Sequence, residues 1–196
     1  MNLMPFDEIN TFAAMVRRYK TEPLALSDKE KLRDDIEDYI EYLLFEAYTY
    51  GNVQAMQDLG LLDRDPNTLI NPEEMFQTIN EPVAGKTYIT RIREYLDDDE
   101  STVEDFTRVA ETDVTRVYNA AVENGGRNSG VSGVRKRWRT MEDERVRSTH
   151  EPLEGISVPL DGEFYAWDGD HAHAPGLFSD PSNNCNCRCW LTLVRE

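Results

Sequence analysis

Residues 183–190, NNCNCRCW, hold every cysteine of the 196-residue chain, at alternate positions. On an extended strand, residues i, i+2 and i+4 share one face, so Cys185, Cys187 and Cys189 would point in the same direction. The Cα atoms of neighbouring cysteines would then lie near the upper limit for a disulfide, and a bridge between them would be strained. The spacing leaves three uses for the thiols: a metal site, a packed strand or a nucleophile.

Zinc tolerates thiolates at this spacing provided that the strand bends, and it takes four ligands from cysteine, histidine or carboxylate groups. The chain has three histidines besides its three cysteines. His150, Cys187 and Cys189 could supply three ligands, and the fourth could come from Cys185, His171 or His173. Because cysteine also packs well as a small buried apolar group, the sequence leaves a structural zinc site and a packed strand both open.

An enzyme would use the same side chains differently, with a water at an open metal position or with a thiolate activated by His150.

We predict a short helix over residues 140–150, which places Asp143, Arg147 and His150 on one face and lets Asp143 pair with Arg147. The sequence lacks His-Glu-x-x-His, Gly-x-Ser-x-Gly and a phosphate-binding glycine loop. We therefore expect no enzyme. The alternative function is a metal-dependent hydrolase or nuclease, or a toxin-like effector domain, that uses Asp143, His150 and the cysteines.

The formal net charge of −17 is unevenly distributed along the chain. Residues 1–126 contain 12 basic and 27 acidic residues, whereas residues 127–196 contain 9 and 11. Within residues 127–147, seven basic residues stand against three acidic ones. The sequence therefore predicts an acidic first part and a basic patch near the start of the second.

The arginines of this patch could share one surface. If residues 134–140 form a strand, alternate arginines project from one face while Lys136 and Trp138 take the other. Arg127 would extend the surface. The predicted interaction residues are Arg135, Arg137, Arg139 and Arg145. Such a surface suits an acidic protein partner or the phosphate backbone of DNA, and the negative net charge favours the protein.

Helical signals dominate residues 1–126. A capping box at residues 27–30 predicts the start of a helix whose apolar stripe runs to Tyr50, with Gly51 as its stop. A second capping box, at residues 101–104, predicts another long helix that ends at residues 124–126. Shorter helices are predicted over residues 52–59, from Pro72 to the residue before Pro82, and over residues 87–96.

Strand signals dominate the rest of the chain. After a loop at residues 127–133, we predict strands over residues 134–140, 156–160, 163–167 and 187–194, with a long loop at 168–184 before the last one. The predicted fold class is α+β. An acidic helical region, residues 1–126, precedes a small mixed α/β domain, residues 127–196, with a short antiparallel sheet.

Nothing in the sequence predicts membrane association. No run of 18 apolar residues occurs, and the N-terminus has acidic residues where a signal peptide carries a basic segment. We expect the protein to stay in the reducing cytosol where it is made, which argues against a disulfide framework.

Residues 138–150 have the pattern W-x-T-x-x-D-x-x-V-R-x-x-H, and residues 186–189 are Asn-Cys-Arg-Cys. Between them lie Leu153, Gly155, Phe164 and Pro175. In this order the residues resemble the phage Mu F-like head-morphogenesis family, the minor head proteins of tailed bacteriophages. Residues 111–121, ETDVTRVYNAA, are similar to the stretch that precedes this domain in the family, whereas residues 1–100 carry no matching motif.

The resemblance implies a structural virion component that joins the procapsid near the portal and assists head assembly, DNA packaging or DNA ejection. It implies contact with the portal or the major capsid protein, and non-specific contact with packaged DNA as a further expectation. It also implies a location in the capsid interior or at the portal vertex, after assembly in the cytoplasm of the host. Since the sequence ends soon after Cys189, we expect no fused toxin domain. The resemblance favours a structural role for His150 and the cysteines over a nucleophilic one.

Overall fold

Six α-helices and five short strands make up the computed structural model, which describes residues 6–196. The helices are α1 (Phe6–Thr21), α2 (Leu26–Leu59), α3 (Pro72–Asn80), α4 (Tyr88–Asp97), α5 (Val103–Asn128) and the single turn α6 (Pro181–Asn184). Short 3₁₀ helices occupy Pro66–Leu69 and Glu151–Leu153. The helical first part and the small sheet after it confirm the predicted α+β class.

Two sheets form in the second part of the chain. Strands β1 (Val134–Arg139), β2 (Ser157–Pro159) and β5 (Trp190–Arg195) form an antiparallel sheet in the order β2-β1-β5. Strands β3 (Phe164–Tyr165) and β4 (His171–Ala172) pair separately as a short antiparallel hairpin. One continuous hydrophobic core joins residues of the long helices to Trp138, Leu191 and Leu193 of the sheet.

Helix α2 corrects the prediction of two helices separated at Gly51, because it runs unbroken for 34 residues. Gly51 faces α5, where an added Cβ would lie against the Tyr118 carbonyl and only 2.7 Å from the Ala121 Cβ. The glycine therefore allows two helices to approach closely and does not end one. The end of α2 is at Gly60, which has the left-handed φ of 69° typical of a C-terminal stop.

The capping predictions for the two long helices were wrong in detail. Helix α2 begins after Ala25, without a side-chain cap, and so the box predicted at residues 27–30 does not form. In α5 the capping box forms one residue later than predicted, between Thr102 and Asp105. Helix α5 also continues past the predicted stop at residues 124–126 and ends at Asn128. Gly125 lies inside the helix, where its small size allows close packing against Ala55 of α2.

The segment at residues 140–150 is a run of turns and not the predicted short helix. Its polar groups have partners outside the segment: the Thr140 N–H donates to a Glu154 carboxylate oxygen at 2.5 Å, and Asp143 accepts two hydrogen bonds from Arg188. Glu142 also takes a left-handed φ of 52°, which an α-helix does not allow. Contacts between segments therefore override the local helix signal.

Strand β5 lies at the edge of its sheet, and helix side chains satisfy its outer backbone groups. The Leu191 N–H donates to Asn119 Oδ1 of α5 at 2.8 Å. The Leu193 N–H donates to Asp58 Oδ2 of α2 at 2.7 Å. An edge strand would otherwise present these groups to solvent or to another chain. The last strand is thus held by the helical part of the molecule.

The predicted division into residues 1–126 and 127–196 stays a prediction. Helix α5 spans this boundary and ends at Asn128. None of the helices in residues 6–196 combines the length and the apolar composition that a transmembrane helix requires.

The close contact between α2 and α5 predicts that Gly51→Ala destabilises the fold. The added methyl group would force the helices apart, which costs about 1–3 kcal/mol, against about 1 kcal/mol that alanine contributes through helix propensity. Urea unfolding followed by circular dichroism would measure the loss.

Gly126→Ala is the matched control, because its added Cβ meets only the ends of the Leu193 and Leu160 side chains, at 3.1 and 3.2 Å. These side chains can move, so the control should unfold at or above the wild-type midpoint, because alanine also contributes about 1 kcal/mol through helix propensity. Equal midpoints for the Gly51 and Gly126 variants would contradict the close-contact interpretation.

Candidate metal centre

His150, Cys187 and Cys189 lie together in the core of the second part of the chain. His150 Nδ1 is 3.6 Å from the sulfur of Cys187 and 3.6 Å from that of Cys189. The three possible ligand atoms all lie within 4.8 Å of one another, and all three residues are buried. The structure therefore brings together three of the residues that the sequence analysis selected as metal ligands.

Cys185 lies outside this group. Asn186 adopts a left-handed φ of 56°, so the chain turns between Cys185 and Cys187. The Cys185 carbonyl accepts a hydrogen bond from the Arg147 guanidinium. The expectation that all three cysteines share one strand face is wrong, because regular strand structure starts only at Trp190.

Side chains of α5 hold the backbone of the two clustered cysteines. The Thr115 hydroxyl donates to the Cys187 carbonyl at 3.3 Å, and the Asn119 amide donates to the Cys189 carbonyl at 3.4 Å. Asn119 also accepts from the Leu191 N–H, as described above. The positions of the sulfur atoms thus depend on a helix about 70 residues away in sequence.

Two aromatic rings fix the orientation of the His150 ring. Phe178 stacks on it with centroids 5.2 Å apart, and Trp138 contacts it edge-on at 5.5 Å. His150 Nε2 is buried and has no hydrogen-bond partner in the described part of the chain. The packing therefore directs Nδ1, and not Nε2, towards the sulfurs.

The loop that carries Phe178 is organised by two polar side chains. Asn184 accepts from the Phe178 N–H at 2.9 Å and donates to its carbonyl at 2.7 Å. The Asp170 carboxylate accepts five hydrogen bonds, from the His171 N–H, the Ser179 N–H and hydroxyl, the Asp180 N–H and the Asn183 amide. Although burial opposes ionisation, the hydrogen bonds lower the pKa of Asp170 below its ordinary value.

The electrostatic surroundings distinguish the two thiols. Hydrogen bonding from the Cys189 thiol, and then from His150, holds the pKa of Cys187 well below its ordinary value, although burial opposes this. The hydrogen bond with Cys187, together with burial, raises the pKa of Cys189. The interaction between the two thiols therefore shifts their pKa values in opposite directions.

Asp143 pairs with Arg188 and not with Arg147 as predicted. Two hydrogen bonds of 2.9 and 2.7 Å join its carboxylate to the Arg188 guanidinium, which lowers the pKa of Asp143. Because residues 140–150 are not helical, the i, i+4 spacing no longer brings Asp143 and Arg147 together. Arg188 was not recognised from the sequence, since its partner is 45 positions away.

The other two histidines lie away from the cluster. His171 is exposed on β4, with its ring edge-on to Tyr165 at 5.4 Å. His173 pairs with Glu163 at 3.5 Å. Neither belongs to the group of potential ligands around His150.

The predicted interaction arginines have different surroundings. Arg135 pairs with Glu196 at 3.2 Å, and Arg139 pairs with Glu154 at 3.0 Å. Arg145 lies 4.0 Å from Asp143. In the described chain, Arg137 has no carboxylate partner, and its Nε donates to the Ser157 hydroxyl at 2.9 Å.

Two other basic residues of the patch pair with one buried carboxylate, that of Glu123. Lys136 is fully buried, and its Nζ lies 2.8 Å from a Glu123 carboxylate oxygen. Arg127, which the sequence analysis added to the surface, also pairs with Glu123. The positive surface is therefore smaller than the composition suggests.

The structure thus defines the class of protein: an α+β fold with a buried cluster of one histidine and two cysteines, in which helix side chains hold the final strand. The family model of the Phage Mu protein F like proteins matches residues 73–192. The chain belongs to this family. The resemblance that the motifs of residues 138–189 indicated is confirmed.

Two curated proteins show partial similarity. The minor head protein GP7 of Bacillus phage SPP1 is 34% identical over 61 residues, which are 31% of this chain and 20% of that protein. The NAD(+)–arginine ADP-ribosyltransferase EFV of Enterococcus faecalis is 26% identical over 152 residues, which are 62% of this chain and 31% of that protein. The chain thus spans a third or less of the length of these relatives. No solved structure shows significant similarity.

The hydrogen bonds of Asn119 predict that Asn119→Ala strongly lowers the free energy of unfolding. The change leaves the buried Leu191 N–H and the Cys189 and Pro175 carbonyls without their side-chain partner. We expect the free energy of unfolding to fall by about 2–4 kcal/mol, because each unsatisfied buried group costs about 1–3 kcal/mol. Asn128→Ala, on the same helix at an exposed position, should cost much less in the same urea titration. Similar losses for both variants would show that the edge-strand contact is not special.

The lowered pKa of Asp170 predicts that its carboxylate stabilises the fold in a pH-dependent way. Because the folded-state pKa is depressed, the contribution is present above the ordinary value of 3.8 and is lost as the pH falls towards the folded-state pKa. Asp170→Asn should cost about 1–3 kcal/mol at neutral pH. The difference from the wild type should shrink below about pH 4. Urea titrations of both proteins at several pH values test this, and a difference that stays constant into acid would refute it.

Proposed function

We propose that the protein is a structural minor head protein that contributes to the assembly of a phage head. The observation that carries the proposal is the family match over residues 73–192, together with the partial similarity to minor head protein GP7. The family match includes all of α5 and the three residues of the cluster. The protein would act through contacts with other head components, in the virion.

The geometry of the cluster supports a structural role over the hydrolase or nuclease alternative. His150 is 1% exposed, and Cys187 and Cys189 are 5% and 4% exposed. A nucleophile or an open metal position has to reach its substrate, and these side chains face the core. Asp143, the acid that the alternative would use, is held by Arg188. The partial similarity to an ADP-ribosyltransferase does not favour that alternative either.

We propose that the protein joins the procapsid near the portal, with the portal or the major capsid protein as its partner. Its place would be the capsid interior or the portal vertex, where it could assist DNA packaging or ejection. The net charge of −17 favours docking on protein over extended contact with packaged DNA. Within the basic surface, Arg137 is the best candidate for the docking contact, because the other arginines already have carboxylate partners.

Purified particles provide the direct test of the proposed function. Mass spectrometry of mature heads and of procapsids should find this protein at low copy number relative to the major capsid protein. Cross-linking of procapsids should join it to the portal or to the major capsid protein. Absence from both kinds of particle would refute the assembly role.

Charge reversal tests the docking surface. Arg137→Glu should reduce incorporation into procapsids by about tenfold or more, because a like charge placed against an acidic partner costs several kcal/mol. The matched control is Arg18→Glu on α1, where Arg18 is exposed and forms only a surface pair with Glu22. Both variants should fold, as circular dichroism would verify. Incorporation of Arg137→Glu at the level of the control would exclude this face as the attachment surface.

A further inference from the structure

We propose that His150 Nδ1, Cys187 Sγ and Cys189 Sγ bind one zinc ion, with water as the fourth ligand. The ion would join the turns at residues 140–150 to the start of β5. It would be a structural centre. This inference is independent of the assembly role proposed above, since it depends only on the geometry of the cluster.

The distances within the cluster fit a tetrahedral zinc ion. With bonds of about 2.3 Å to sulfur and about 2.0–2.1 Å to nitrogen, tetrahedral angles separate a sulfur and a nitrogen ligand by about 3.5 Å. Both observed distances between Nδ1 and sulfur are 3.6 Å. An ion could therefore enter without a rearrangement of the backbone.

The chemistry of the donors selects the kind of metal. Two thiolates and an imidazole are soft or borderline ligands, which bind zinc well, whereas magnesium and calcium require oxygen ligands. Two thiolates also neutralise the charge of a divalent ion in a buried site. The aromatic contacts of Phe178 and Trp138 fix the ring so that Nδ1 faces the sulfurs. Zinc is thus the divalent ion that this set of donors fits best.

The surroundings of the cluster indicate a structural rather than a catalytic ion. A cavity of about 10 Å³ borders all three ligand residues, which is about the space that one water requires. Its wall includes Arg145, Arg147 and Arg188, and none of the described residues that line it carries a carboxylate. A catalytic zinc needs a neighbouring base and room for a substrate. This cavity offers neither.

A metal-free cluster is the competing interpretation. Thiols can hydrogen-bond to an imidazole at the same 3.6 Å separation, and buried cysteines can pack as small apolar groups. The two interpretations differ in what they predict for metal content. In the metal-free cluster, zinc has no affinity for the folded chain and a chelator has no effect.

Elemental analysis of the full chain, purified without chelator, tests the inference. We expect about one zinc ion per chain. Exchange with cobalt(II) should give thiolate-to-cobalt charge-transfer absorption and the intense visible bands of a tetrahedral site. A strong chelator should lower the melting temperature, and added zinc should restore it. Chain without bound metal, no cobalt spectrum and an unchanged melt would overturn the proposal.

Variants locate the ion. Cys187→Ser, Cys189→Ser and His150→Ala should each reduce the zinc content at least about tenfold. Cys185→Ser is the control within the same motif, and it should keep the wild-type zinc content and cobalt spectrum. A variant with both His171→Ala and His173→Ala should also keep its zinc, because these exposed rings lie outside the cluster. Loss of zinc from either control would place the ion elsewhere and overturn the proposal.

Poorly folded variants would not decide the matter, so the wild-type protein provides a second measurement. Stepwise modification of the thiols with a mercurial reagent should release zinc in proportion to the loss of two buried thiols. Cys185 should react first without release, because it is the more accessible cysteine. Release of zinc with the first thiol would contradict the assignment.

Discussion

The outer edge of β5 is the constraint on which the second part of the molecule depends. A strand at the edge of a sheet has unpaired backbone groups on one side, and buried polar groups need partners. Here the partners are side chains of two helices, with Thr115 and Asn119 on α5 and Asp58 on α2. They contact alternate residues from Cys187 to Leu193, so they fix the register of the strand and the positions of two sulfurs together. The helices are therefore part of the candidate metal centre.

A buried ion pair adds a second link between the sheet and α5. Lys136 lies in the middle of β1 and contacts Glu123, and burial lowers its pKa while Glu123 opposes the shift. Such a pair is not strongly stabilising in itself, but an unpaired buried charge costs about 3–5 kcal/mol. A shift of β1 by one residue would turn Lys136 and Trp138 away from the helix and bring arginine side chains inward in their place. The pair thus specifies which face of the strand meets the helix.

Sequence patterns correctly predicted those helices and strands whose ends are set by neighbouring residues in the chain. Asn71 followed by Pro72 marks the start of α3, and Thr87 caps α4, because a cap acts within one turn. The inward face of β1 also followed from the alternation of residues along the strand.

Residues 140–150 were misassigned because Glu154 and Arg188 satisfy their polar groups from elsewhere in the chain. Gly51 was read as a helix stop because the sequence does not reveal that another helix passes close to it. Cys187, Cys189 and His150 were selected by residue type, whereas the turn at Asn186, which removes Cys185, has no sequence signal beyond a residue that tolerates positive φ.

The family match begins at residue 73, well before the sheet, and so includes most of α3. Arg116 of α5 is almost fully buried and donates to the carbonyls of Thr78 and Ile79 at the end of α3, at 2.7 and 3.1 Å. Helix α3 therefore helps to position α5, and α5 in turn holds the cysteine backbone and the edge of β5. Composition changes near residue 126, yet the hydrogen bonds that support the cluster cross that point. A fragment made of residues 127–196 alone would expose the Leu191 and Leu193 N–H groups of β5 and leave Lys136 without Glu123. The matched residues 73–192 include the helix that completes the sheet in this chain.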